Sequence, residues 1–170
     1  QVSQGKGRER LGRNGKLQND HERWCTMMAC SSNASIYSKL ASLKYDSSAE
    51  AMRTFEYNVS DPGVHTMEQA DTILIPAMME NYGVAGDAFI EYVVRNKQAV
   101  RDLLKDLTRR TVKSCDAKAP ERFWVAIIAA NITAALVAIK AGVLPWSIDD
   151  VRGVHKWACN QLRGSRSVVK

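Results

Sequence analysis

Trp24-Cys25-Thr26-Met27-Met28-Ala29-Cys30-Ser31-Ser32-Asn33-Ala34-Ser35-Ile36 is the stretch whose reading decides the fold. It opens as an uncharged apolar run short enough for one buried strand, breaks at Ser31-Ser32-Asn33, and passes into a helical pattern. A strand bare of charge is typical of a sheet covered on both faces by helices. In such sheets the ligand-facing polar groups sit just beyond the strand's carboxyl end, which singles out Asn33. The plainer alternative is that Ser32, Asn33 or Ser35 caps the following helix.

Upstream, the segment from Gln4 to Gln18 carries Lys6, Arg8, Arg10, Arg13 and Lys16 against one acid, Glu9. Asn14-Gly15 supplies the positive φ angles of a two-residue type I′ turn, so Arg8–Leu11 and Lys16–Gln18 are expected as the arms of a short exposed ribbon. A ribbon that buries little leaves its cations free to meet phosphates; otherwise it is a solvated basic loop. Gly12–Leu17 imitates a phosphate-binding loop but is one residue short, and Leu17 stands where the metal-binding hydroxyl belongs.

Downstream, Ile36, Leu40 and Leu43 recur at helical spacing. Ser47-x-x-Glu50 caps a short helix to Arg53. Thr54–Val59 alternates and is rich in strand formers, so a second strand is expected there, closed by Asp61-Pro62-Gly63. Beyond residue 62 every pattern is helical. Thr66-x-x-Gln69 opens a helix to Glu80 that Pro76 should kink. Further helices are expected to end near Asn96 and Val112. Pro120 opens a long apolar helix from Glu121 to Lys140, and Ser147-x-x-Asp150 caps the last. The chain therefore divides into residues 1–62, a partial α/β element short of strands, and residues 63–170, a helical bundle.

Composition bounds the reading. Hydrophobic residues at 45% and charged residues at 25% of 170 describe one globular domain, and a net charge of +6 favours an anionic partner. The cysteines, Cys25, Cys30, Cys115 and Cys159, form no Cys-x-x-Cys pair, which argues against zinc and for unpaired thiols in a reducing compartment. Phe123–Ile139 is interrupted by Asn131 and Thr133 and falls short of a membrane span, so a core helix is expected and no membrane partner. The tryptophans, Trp24, Trp124, Trp146 and Trp157, are expected as core anchors. His21, His65 and His155 are scattered without a nucleophile beside them. Arg152, Lys156, Arg163, Arg166 and Lys170 form an acid-free tail, either a second nucleic-acid contact or a solvated end. Gln1 in place of a methionine points to a piece of something longer.

In this order the motifs resemble the C-terminal half of phage and plasmid replicative primase-helicases, superfamily 3-like, AAA+-related P-loop ATPases. Met27–Asn33 resembles the sensor 1 motif, Ala51–Glu56 the segment bearing the arginine finger, and Asn81–Phe89 the start of the helical lid. The resemblance implies a mixed α/β, predominantly α fold: the C-terminal fragment of a P-loop sheet (residues 1–62) followed by a helical bundle lid (63–170). It implies that Asn33 senses the γ-phosphate or the attacking water. It implies that Arg53 stabilises charge on the phosphoryl group in a neighbouring subunit of a homo-oligomeric ring. The basic ribbon, Lys6, Arg8, Arg10, Arg13 and Lys16, would grip DNA. The chain has no GxxxxGK[ST] loop and no paired-acid strand. ATP and magnesium would therefore be held by an upstream ATPase segment of the same polypeptide. This chain alone is expected to bind neither and to be inactive, working in the cytoplasm of a bacterial host. Two other readings stand beside it: a non-enzymatic helical DNA-binding or assembly module with a basic arm, and part of a DNA-packaging motor ATPase.

Overall fold

Period 3.6 dominates the sequence beyond residue 62, and helices dominate the computed structural model. It describes residues 10–11, 17–18, 29–42, 51–58 and 66–166. The chain forms two units, Gln1–Asn33 and Ala34–Lys170. In the first, β1 (Arg10–Leu11) pairs antiparallel with β2 (Leu17–Gln18), Arg10 opposite Gln18 and Leu11 opposite Leu17. Of the expected ribbon, these four residues are described and paired. Its register lies one residue from the one a two-residue Asn14-Gly15 turn dictates, which would set Leu11 opposite Gln18. Asn14-Gly15 itself lies outside the described residues.

The second unit is helical. Its elements are α1 (Ile36–Ala41), α2 (Met67–Gln69), a π turn (Ala70–Leu74), α3 (Ile75–Glu80), α4 (Val84–Arg95), α5 (Lys97–Cys115), α6 (Arg122–Lys140) and α7 (Ile148–Ser165). Thr66 and Gln69 close the expected capping box, and so do Ser147 and Asp150. The kink anticipated at Pro76 is realised as the π turn: Ile75 N–H reaches back five residues to Ala70 O, immediately before the residue that has no N–H to give. Pro120 falls in a 3-10 turn, Ala119–Glu121, that feeds α6. Gly83 (φ 83°) turns the chain between α3 and α4 in the left-handed region.

The expected sheet does not form. Among the described residues β1–β2 is the only ladder, so no P-loop sheet is present and the mixed α/β assignment for residues 1–62 is corrected to a helical fold. Ala29–Ser32 carries no strand, and residues 24–28 lie outside the described residues. Thr54–Asn58 carries no strand either. Its alternation is nonetheless real: Phe55 and Tyr57 pack on aromatic rings from α6 and α7. The carbonyl of Thr54 accepts side-chain donors instead of ladder N–H groups. Period 2 reports an extended chain with one apolar side, and helices cover that side here.

The core lies where α6 passes between α5 and α7. Trp124, Val125, Ile128, Ala129, Ile132, Thr133 and Val137 recur at helical spacing and are buried. By length and composition the segment 119–140 could cross a membrane. Trp124 is fully buried, as an anchor should be, but Trp146 and Trp157 are half exposed. The cysteines correct the sequence reading: Cys115 at the end of α5 and Cys159 in α7 form a disulfide across 44 positions. Closing a loop of that length stabilises by about 4 kcal/mol in the chain-entropy model.

The basic tail is corrected as well. Arg166 grips the buried Glu121 carboxylate with two nitrogens (2.6 and 2.8 Å) and donates to the carbonyls of Cys115 and Asp116. Arg163 donates to Ser114 O and to Asn160, and Arg152 pairs with Asp149. Arg163 and Arg166 hold the ends of α5 and α7 together, whereas Arg152 and Asp149 form an exposed pair within α7. The hydrogen bond from Arg166 holds the Glu121 carboxyl below the usual range. Arg166→Ala should therefore strand a buried carboxylate and lower the unfolding free energy by about 3 kcal/mol, read from the urea midpoint.

His155, half-buried on α7, sets Nε2 3.0 Å from Thr111 Oγ1 and 3.7 Å from Cys159 Sγ. Burial holds its pKa below the usual imidazole value. On acidification the unfolded chain takes up this proton first, near pH 6.5, so stability should decline as pH falls below about 6.5. A thermal-unfolding series between pH 8 and pH 5 should show that slope in the wild type and a shallower one in His155→Asn.

Candidate functional site

Of the predicted site residues, Lys6, Arg8, Arg13 and Lys16 lie outside the described residues. Arg10 contributes its backbone to β1, opposite Gln18. Asn33 is exposed in a bend at the end of the first unit. Ser35, not Asn33, caps α1: its Oγ accepts from Ser38 N at 3.1 Å. Among the described residues no P-loop sheet places a strand end before Asn33.

Arg53 lies in the second unit and is placed with more definition. Ala51 is buried, and Thr54 N–H returns to its carbonyl at 3.0 Å, closing a turn over Met52 and Arg53. The next carbonyl, Thr54 O, accepts from Tyr37 Oη and from Trp124 Nε1, both at 2.6 Å. The same tyrosine oxygen accepts from Glu56 N at 3.3 Å, while Tyr37 N donates to Glu56 Oε2 at 3.0 Å. Burial raises the Tyr37 hydroxyl pKa, which keeps it a neutral donor. Segment 51–56 is thus strapped to α1 and α6 by four hydrogen bonds.

On this fixed backbone the Arg53 side chain is exposed. Its guanidinium carbon lies 5.9 Å from the centroid of Phe123, and that of Arg122 lies 5.0 Å from the same ring. Neither arginine has an acidic partner among the described residues. Two guanidinium groups on one half-exposed ring form a small cationic surface, which a phosphate would neutralise better than the ring does. Phe55 continues the packing inward to Trp124 (6.4 Å), and Tyr57 meets Trp157 edge-on at 4.9 Å.

Sequence reasoning missed Arg122, Phe123, Tyr37 and Trp124 as companions of Arg53. Contacts spanning up to 70 positions leave no local signal. It also missed a row of cations on α5, which is legible as Lys97, Arg101, Lys105, Arg109 and Lys113 at four-residue intervals.

Elsewhere, α6 and α7 enclose a shallow apolar recess of about 270 Å³ lined by Ile132, Leu144, Trp146, Val151 and Val154, with Asn131 at its edge. Arg53 is not among the residues that line it. Among the described residues no cluster of three or more His, Cys, Asp or Glu side chains is placed to hold a metal. No protein-family model, curated protein or solved structure matches the chain.

The Tyr37 hydroxyl donates to Thr54 O and accepts from Glu56 N, so its removal is the mildest way to loosen the backbone around Arg53. Tyr37→Phe should lower stability by about 1 kcal/mol and accelerate amide exchange at Glu56, measured by urea unfolding and hydrogen exchange.

Proposed function

We propose that this chain is the DNA-contacting, arginine-bearing portion of an ATP-driven helicase or translocase of phage-like replication. The nucleotide's phosphate cradle and magnesium ligands are contributed by another segment of the polypeptide, because the motifs that hold them are missing from these 170 residues. The observation that carries the reading is Arg53: an exposed guanidinium without an acidic partner among the described residues, on a backbone fixed by two buried donors. A planar fork of donors held in that way suits charge developing on a phosphoryl group in a neighbouring subunit. The DNA half of the reading rests on the sequence, where Lys6, Arg8, Arg10, Arg13 and Lys16 crowd a stretch with one acid, beside the pairing of Arg10–Leu11 with Leu17–Gln18. Asn33 takes part only in the assembled enzyme, where a second segment can approach it.

A non-enzymatic helical assembly module is the second reading. It is favoured by the segment from Met67 to Tyr82, whose large apolar side chains face solvent.

Two measurements separate them. Fluorescence anisotropy of the chain with a labelled single strand should give a log K against log salt slope of roughly −3.5 if all five ribbon cations meet phosphates. Replacing Lys6, Arg8, Arg10, Arg13 and Lys16 by alanine should abolish that slope. In the protein that includes the nucleotide-binding segment, Arg53→Ala should reduce ATP turnover by 10³-fold or more (roughly, as for trans-acting arginines) and leave nucleotide binding intact. Normal turnover in that variant removes Arg53 from the mechanism and leaves the assembly reading.

A further inference from the structure

From Thr66 to Val94 the chain carries Glu68, Asp71, Glu80, Asp87 and Glu91 and no lysine or arginine. The next helix reverses this: α5 carries Lys97, Arg101, Lys105, Arg109, Arg110 and Lys113 against Asp102 and Asp106. In a chain with 24 bases and 18 acids, that is a segregation of sign into two adjoining elements.

The acidic part is also apolar, and its first half is uncovered. No residue of α2, the π turn, α3 or α4 is buried. Met67, Met78, Met79 and Tyr82 are 83, 71, 74 and 88% exposed, and Ile73 and Ile75 more than half. Among the described residues α2, the π turn and α3 touch no helix but one another. A contiguous apolar surface of this extent marks an interaction site, and unbranched methionines adapt readily to a partner's contours.

The basic part has the matching features. Arg101, Lys105, Arg109 and Lys113 are exposed at four-residue intervals, where like charges repel one another along the helix. Asp106 is engaged by Arg110 (2.8 Å), and Asp102 by Gln98 and more distantly by Lys105 (3.9 Å). Arg101, Arg109 and Lys113 have no acidic partner among the described residues. Leu104 and Val112 are exposed beside them.

We infer that the acidic, apolar arm Thr66–Tyr82 docks on the basic outer face of α5 in a second copy of this chain. Both surfaces are on every copy, they are complementary in sign, and within one copy the arm does not touch α5. The contact joins two different patches, so two copies either exchange arms reciprocally and close a dimer or assemble head to tail. It needs neither nucleotide nor DNA and stands apart from the helicase reading.

Light scattering coupled to size exclusion tests it on the full chain. The wild type should run at two or more monomer masses and shift toward monomer as salt rises from about 0.05 M to about 0.5 M. The arm variant Ile75→Ser/Met78→Ser/Met79→Ser and the α5 variant Arg101→Glu/Lys105→Glu/Arg109→Glu should each run as monomers. Their equimolar mixture should form a 1:1 dimer and nothing larger, because one supplies the intact arm and the other the intact α5 face. Should the arm variant lose helix by circular dichroism, Glu68→Lys/Asp71→Lys/Glu80→Lys replaces it, and combining those changes with the α5 reversal in one chain should restore self-association. A monomeric wild type overturns the proposal. So does a mixture that stays monomeric, or an α5 variant that self-associates like the wild type, the result expected if arms pair with each other. An α5 variant of unchanged mass that has lost only oligonucleotide binding also overturns it, in favour of nucleic acid on α5.

Discussion

The carbonyl of Thr54 is the point on which the N-terminal part of the second unit hangs. Its two lone pairs accept Tyr37 Oη and Trp124 Nε1 in the same place, so α1, segment 51–58 and α6 meet at one oxygen. Trp124 is fully buried, and its indole N–H would be left unsatisfied in the core without this acceptor. Everything placed with definition around Arg53 follows from it. The turn before Thr54 is closed, Phe55 lies against Trp124, and Tyr57 is carried out to Trp157.

The far end of the bundle is held by different chemistry to the same effect. The C-terminus of α5 is tied to α7 by the Cys115–Cys159 disulfide, by the Thr111–His155 contact and by Arg166, which spans Glu121 and the carbonyls of Cys115 and Asp116. Residues 66–82 show the opposite condition. They have good local helix chemistry, with a capping box and a π turn that relieves Pro76, yet bury nothing. A helix of that kind draws little stability from its own chain and gains it from a covering partner. The molecule therefore joins a firmly tied bundle to an arm whose stabilising contacts lie outside it.

Legibility in the sequence followed the range of the interaction. Thr66/Gln69 and Ser147/Asp150 were readable because a capping box is complete within four residues. Thr54–Asn58 was readable as extended but not as strand or strap, since alternation does not name what covers the apolar side. At Ser31–Ser35 three polar residues compete for one cap, and Ser35 takes it because it immediately precedes the first helical residue. The C-terminal arginines looked free because their partners Glu121, Ser114 and Cys115 stand 45 to 51 positions away. The likeness to a nucleotide sensor at Asn33 rested on a sheet that the described residues do not form.

By itself the sequence determined where the capped helices start, the apolar face of α6 and the sign of each surface. Those properties depend on residues within a few positions of one another. Only the tertiary structure decided that Thr54–Asn58 would lie on helices, that Cys115 would meet Cys159, and that Arg166 would neutralise Glu121 while Arg53 stayed exposed beside Arg122 and Phe123. Each of those outcomes sets side chains tens of positions apart in competition for one buried acceptor, one thiol or one carboxylate. Packing, which no local pattern records, selects the pair that meets.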